Sequence, residues 1–501
     1  MRVETTVKQF KELLEKMKML EGALGTVYFD ALTGAPRGGA DSRAKRMGFL
    51  QAEIFSLLVS DEMKNCLDTL AAHEDSLDEI TRAMLRETRR NYEKEANIPV
   101  ETVRAYSELT SKAHIVWEDA KASNDFASFA PYLERIIAMK KEMLAYRGSD
   151  ELPYNQLLDD YEPGQTMETL DVFFAKLKAA IVPFFKELKE SGKQIDTNFK
   201  HHPVAIEAQR EISDMLAEKV GYDLNRGMIR ETEHPFCITI GGRDDVRITT
   251  HYHEMNFLSS FYSVIHECGH AIYEQNKKDE IAGTILDDGV SMGIHESQSR
   301  LYENVIGRSR AFWGYICDEL KTKLPDQFAP VTADMLYTAT NQVEASLIRI
   351  EADELTYPLH IMVRYELEKL LFSGDVDVYD LPRLWNEKME EYLGITPPDD
   401  ARGILQDVHW SEGLMGYFPS YAIGSAYAAQ FWAYMEREMD VYGLIQKGEF
   451  APITDWLKNH IHAHGLLYTP TELVHRIAGE QLNVEYYIAY LTQKFRGIYG
   501  I

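Results

Sequence analysis

Apolar residues recur every three or four positions over most of this chain, the repeat of helices that bury one face. The pattern predicts helices over 7–24, 41–60, 76–94, 99–121, 126–147, 166–191 and 203–219. A loop, Thr33-Gly34-Ala35-Pro36-Arg37-Gly38-Gly39, follows the first of them. The stretch from Pro153-Tyr154-Asn155 to Glu162-Pro163-Gly164 predicts a break between helices. The repeat shortens to two residues only once. Phe236-Cys237-Ile238-Thr239-Ile240 and Val246-Arg247-Ile248-Thr249-Thr250 carry β-branched residues around Gly241-Gly242-Arg243-Asp244, which predicts a β-hairpin. No heptad run, internal repeat or low-complexity linker divides the chain, so one mainly α domain over residues 1–501 is expected.

The segment after the hairpin carries the chemistry. Phe257, Leu258, Phe261, Tyr262, Val264 and Ile265 form an apolar face leading into His266-Glu267-Cys268-Gly269-His270. Helical residues four apart share a face, so His266 and His270 can aim two imidazoles at one ion. Glu267 lies beside them, placed to deprotonate a water activated there. This is the HExxH pattern of zinc-dependent peptidases. Gly269, without a side chain, lets another element approach the metal face. A catalytic site needs a third ligand and an open position. Glu296 is the candidate, 26 residues after His270 and beyond Gly283, Gly289 and Gly293, on a helix through Leu301, Tyr302 and Val305. The competing reading of Glu296 is a solvated acid near a helix start. His295-Glu296-Ser297-Gln298-Ser299-Arg300 also offers side chains to orient the ligands. Zinc and cobalt both suit a His2Glu set.

Composition narrows the partners. The formal charge of −27 argues against nucleic acid, whose phosphates need a basic surface, and leaves a solvated acidic surface as the simplest reading. Cys66, Cys237, Cys268 and Cys317 form no disulfide framework or CxxC pair, and Cys268 is expected to be buried away from the ligand face. The first 20 residues read as an amphipathic helix rather than a signal peptide, and no apolar run reaches the roughly 18 residues that span a bilayer. A cytoplasmic enzyme is expected.

Several further segments, in order, resemble the signatures of the carboxypeptidase Taq family of metallocarboxypeptidases. They are His234-Pro235-Phe236, Asp245-Val246-Arg247-Ile248-Thr249, the HExxH segment and His295-Glu296-Ser297-Gln298. Ile348-Arg349-Ile350-Glu351-Ala352-Asp353, Gly403-Ile404-Leu405-Gln406-Asp407-Val408-His409-Trp410 and Gly416-Tyr417-Phe418-Pro419-Ser420-Tyr421 complete the set. The match runs from about residue 20 to the C-terminus. It departs at Tyr28-Phe29-Asp30 and Ala35-Pro36, where the family shows Trp-Asp and Met-Pro. The resemblance implies an almost all-helical fold split by a deep groove with zinc at its floor, and a homodimer. Residues 1–200 would then form the N-terminal half of the groove wall and 201–501 the metal- and substrate-binding half.

On the same pattern, His409 and Tyr421 are candidate donors to an oxyanion, each with a core residue as the plainer alternative. Arg349, in an expected helix over 345–355, is the candidate grip for a substrate's terminal carboxylate. Its alternative is a solvated or salt-bridged arginine paired with Glu344, Asp353 or Glu354. Arg247 and Asp245, beside His234, are candidates for closing the groove end, which would convert an endopeptidase groove into that of a carboxypeptidase. The hairpin edge can hold an extended peptide. His251 and His253 are read as a polar strand end, with a second metal as the alternative. His460, His462 and His464 are read as a surface cluster. The functions weighed are a zinc carboxypeptidase acting on peptides with a free C-terminus, an oligopeptidase cutting internally, and a non-catalytic peptide binder, which has no need of Glu267. No GxMEN-like segment supports an aminopeptidase.

Overall fold

The computed structural model describes residues 2–501. Its N-terminal half is a succession of helices: α1 (Arg2–Thr33), α2 (Ala40–Leu58), α3 (Asp61–Ala71), α4 (Glu79–Glu95), α5 (Val100–Ser123), α6 (Phe126–Tyr146), α7 (Pro153–Tyr161), α8 (Met167–Glu190) and α9 (Ile206–Val220). Along α1, Phe10, Leu13, Leu14 and Met17 share one face and are buried with Met63, Leu67 and Leu70 of α3 and Met84 of α4. Ile281 and Leu286, from a loop far along the chain, belong to the same small core. The larger core runs from α5 to the C-terminus.

The expected break at 153–164 is a helix. Pro153 is the first residue of α7, where its missing N–H costs nothing, and Tyr154, Leu157 and Leu158 follow at helical spacing, all buried. Gly164, at φ +88°, ends the segment rather than interrupting it. Glu162, buried at the end of α7, accepts hydrogen bonds from the Gly293 N–H (2.9 Å) and the Tyr427 hydroxyl (3.0 Å). It therefore ties the N-terminal half to two later helices.

The hairpin forms as expected but gains a third strand. β2 (Cys237–Thr239) pairs antiparallel with β3 (Val246–Thr250), Cys237 opposite Ile248, and β1 (Ile229–Glu231) runs parallel to β3 on its other side. The buried face of β3 lies on α10 (Phe257–Gln275), to which Thr250 and Ser263 are joined through their hydroxyls at 3.2 Å. Next come α11 (Met292–Arg300), capped by the Ser291 hydroxyl on the Ile294 N–H, and a π-helical turn over Leu301–Gly307. The remaining long helices include α12 (Arg310–Lys323), α13 (Tyr357–Ser373), α14 (Leu381–Leu393), α15 (Pro419–Met435) and α16 (Glu485–Tyr499). Among the described residues, no helix is long and apolar enough to cross a membrane.

The helix expected over 345–355 does not form; only the single 3-10 turn Arg349–Glu351 is regular. Asp353 explains this. Its carboxylate accepts from the backbone N–H groups of Glu344, Leu355 and Thr356, and such side-chain bonds compete with a helical ladder.

Two close approaches position the site. A methyl group added at Gly269 of α10 would lie 2.6 Å from the Gln298 carbonyl oxygen and 2.7 Å from Ser299 Cα. One added at Gly424 of α15 would lie 2.6 Å from Glu296 Cγ. Gly269→Ala must therefore push α11 off α10. We expect a loss of about 1–3 kcal/mol in urea unfolding, whereas Gly497→Ala, at an open position, should not destabilise. Glu162 supplies a pH test. Burial, opposed by its hydrogen bonds to Ser291, Gly293 and Tyr427, pushes its carboxyl up to about 7. The folded chain then binds more protons than the unfolded one between the ordinary carboxyl range and neutrality. Stabilisation from this group is complete at low pH and is lost as pH rises through 7. Unfolding free energies at pH 4.5 and 7.5 should fall by roughly 3 kcal/mol more in the wild type than in Glu162→Gln.

Candidate active site

His266 and His270 stand on one face of α10, their ring centroids 5.0 Å apart. Glu296 Oε2, reaching from α11, lies 3.7 Å from His266 Nε2 and 3.5 Å from His270 Nε2. Their ligand atoms all lie within 4.8 Å of one another, and among the described residues no other such group of three or more is found. The surrounding hydrogen bonds aim these atoms. His266 Nδ1 bonds Glu303 Oε2 at 2.9 Å and His270 Nδ1 bonds His295 Nδ1 at 2.5 Å, so neither Nδ1 competes for the ion. The Glu296 Oε1 atom accepts from Arg300 Nε at 2.6 Å, leaving Oε2 toward the histidines. Two imidazoles and one carboxylate with outer partners in place fit a divalent ion.

Electrostatics favour that role at Glu296 and His270, whereas at His266 Glu296 and Glu303 overcome burial and raise the imidazole, so an ion would have to displace its proton. Burial raises the Glu296 carboxyl, but Arg300 and His266 outweigh it and hold the group well below the carboxylate range, ready to ligate. The same contest leaves Glu303 low, with His266, Arg300 and Arg308 overcoming burial. Burial holds the His270 imidazole down near 3, helped by His295, so it is neutral. Glu267 goes the other way. Buried beside the cluster, its carboxyl is pushed up to about 7 by burial, His266 opposing and Glu296 reinforcing. A carboxyl poised there can both take and return a proton near neutral pH. Cys268 is buried on the same helix.

A second group of side chains comes from the later part of the chain, from Arg349 onward. His409 Nε2 lies 3.2 Å from the Tyr421 hydroxyl, at the start of α15 and one turn before the Gly424 contact with Glu296. Burial keeps His409 near 3, hence neutral, and keeps the Tyr421 phenol protonated, so the pair can donate hydrogen bonds. The Arg349 guanidinium lies 5.0 Å from the Tyr421 ring centroid. It is buried and salt-bridged, but not to the partners named from sequence. Nε and Nη2 donate to Asp407 Oδ1 at 3.0 and 2.8 Å, and Nη1 donates to the Tyr357 hydroxyl at 3.0 Å. Arg364, fully buried on α13, bonds the other oxygen of Asp407 at 2.6 Å through Nε. Three of the five Arg349 N–H groups are thus spent inside the protein, and two are left.

Asp245 and Arg247 form a bidentate pair at 2.7 and 2.6 Å, and Arg247 lies 5.0 Å over the Phe29 ring of α1. Phe29 in turn meets Phe236 edge-on at 6.2 Å. His234 is exposed, and only its carbonyl is engaged, by Thr232 Oγ1 at 2.8 Å. The His251 and His253 rings lie tilted with centroids 4.3 Å apart, and His251 Nδ1 is bonded to the Thr232 carbonyl, as at a polar strand end. The histidine cluster is not all at the surface: His462 is fully buried and bonds Gln298 Oε1 at 2.8 Å. Glu303, Glu274 and Lys277 were not singled out from sequence. Their signal was present, since Glu274 continues the His266–His270 face and Glu303 the Glu296–Arg300 face at helical spacing.

Comparison with known proteins agrees with this arrangement. The chain matches the carboxypeptidase Taq (M32) metallopeptidase family over residues 9–495. It is 45% identical over 500 residues to Carboxypeptidase 1 of Bacillus subtilis, covering 100% of both chains. It is 39% identical to Thermostable carboxypeptidase 1 of Thermus thermophilus, over 96% of each. An M32 carboxypeptidase structure from Deinococcus radiodurans superposes with a TM-score of 0.96 at 35% identity, covering 99% of this chain and 100% of that one. With three side chains between α10 and α11 that could hold a metal ion, the chain belongs to the carboxypeptidase Taq (M32) metallopeptidase family and is a metal-dependent carboxypeptidase.

Proposed function

We propose that the protein removes single residues from the free C-terminus of peptides, with zinc held by His266, His270 and Glu296 and with Glu267 as general base. The observation that carries this reading is the convergence of three ligand atoms beside the buried carboxyl of Glu267. Zinc, or cobalt, at such a set supplies Lewis acidity, making water easier to deprotonate and a peptide carbonyl easier to attack. Glu267 takes the proton of the attacking water and later returns it to the departing amine. Tyr421 and His409 donate to the carbonyl oxygen as it gains negative charge.

C-terminal selectivity falls to Arg349, whose two unspent N–H groups match the two oxygens of a terminal carboxylate. Asp407 holds that guanidinium in place. His234 and the Asp245–Arg247 pair close the end of the groove and limit what lies beyond the scissile bond. In this reading residues 1–200 wall one side of the groove and 201–501 carry the ion and substrate. The family resemblance further supports a homodimer.

One peptide, offered with a free and with an amidated C-terminus, tests the reading by mass spectrometry. Stepwise loss of single residues from the free form alone, falling by at least 100-fold in Glu267→Gln, is expected. Internal cleavage of both forms would make the protein an oligopeptidase. Asp407→Asn leaves Arg349 and Arg364 facing a neutral partner inside the protein. A loss of about 3–5 kcal/mol in urea unfolding is expected, with a raised KM for the free peptide.

A further inference from the structure

The two histidines are braced differently. His266 meets a carboxylate directly, through Glu303. His270 meets another imidazole. His295 Nδ1 lies 2.5 Å from His270 Nδ1, and His295 Nε2 lies 3.1 Å from Glu274 Oε1. Lys277, fully buried, donates to that same oxygen at 2.8 Å, and Thr239 Oγ1 donates to Glu274 Oε2 at 3.3 Å. With His270 ligating through Nε2, only one placement of protons satisfies the chain. Glu274 can only accept, so His295 carries its proton on Nε2 and presents a lone pair at Nδ1. His270 must then carry its proton on Nδ1, which leaves the Nε2 lone pair pointing toward Glu296.

We propose that His295, Glu274 and Lys277 are positioning residues, a relay that fixes the tautomer and orientation of His270 and so sets how tightly the ion is held. This rests on the reading that His266, His270 and Glu296 hold the ion. Lys277 balances the Glu274 charge, which would otherwise stand alone inside the protein. Its Nζ also lies 3.6 Å over the Tyr273 ring, and that ring lies 5.2 Å from His295. Gly289 completes the enclosure, since a methyl group there would fall 2.5 Å from His295 Cδ2. His295 immediately precedes Glu296, so one helical turn supplies a ligand and also the group that aims a different ligand.

The test is zinc affinity of the metal-stripped protein, measured by competition with a chromophoric chelator, together with the visible absorption of the cobalt-loaded form. His295→Leu should weaken zinc binding about 10–100-fold and shift the cobalt bands. His295→Gln, whose amide can accept from His270 and donate to Glu274, should recover most of the affinity. Because Glu274→Gln alone strands Lys277, the paired change Glu274→Gln/Lys277→Met is used, and it should also weaken binding. The relay is overturned if His295→Leu and the paired variant bind zinc like the wild type. It is equally overturned if His295→Gln binds as weakly as His295→Leu and both lower the melting point of the metal-free protein alike, the mark of a merely structural role. If the wild type takes up no stoichiometric zinc, or His270→Ala takes it up equally well, the underlying assignment of the ligands fails instead.

Discussion

Everything at the site depends on how closely α11 lies between α10 and α15. Gly269 lets α10 touch the Gln298–Ser299 backbone, and Gly424 lets α15 touch the stem of Glu296. A methyl group at either glycine would meet its neighbour at 2.6 Å, so something there would have to give way. The cluster has no such slack, because its three ligand atoms lie within 4.8 Å of one another. Close-packed backbones here act as a ruler, and they set the distance between groups that no bond joins in this chain.

The same helices concentrate charge where water is scarce. Most buried or half-buried acids near the cluster have a base of their own: Glu296 has Arg300, Glu303 has Arg300 and Arg308, Glu274 has Lys277, and Asp407 has Arg349 and Arg364. Glu267 and Glu162 are the exceptions. Burial dominates at both, and their carboxyls rise toward neutrality while the paired acids fall. The division between acids that stay ionised and acids whose carboxyls rise follows from which are given a close cation and which are mainly buried.

Most of this was legible in the sequence where a single element supplies the information. Helical spacing alone puts His266 and His270 on one face, and β-branched runs around a glycine turn announce β2 and β3. Legibility fails where distant partners decide. Pro153 read as a break because a proline that opens a helix resembles one that ends it. The irregular path of 345–355 follows from Asp353 bonding three backbone N–H groups. Arg349 was recognised as needing an inward partner, but Asp407 lies 58 residues away and nothing local names it. His462 is buried because Gln298, 164 residues earlier, awaits it.

The Gly424 contact also bears on the life of the protein before it is complete. Both histidines and Glu296 leave the ribosome well before α15, yet Glu296 is held on one side by a helix that begins at Pro419. Tyr421 and the His409 that faces it arrive equally late. A nascent chain that has reached only the middle of its length therefore has its ligands but no wall to press them together. Until that helix is made, Glu296 has no neighbour on that side to hold it beside the histidines.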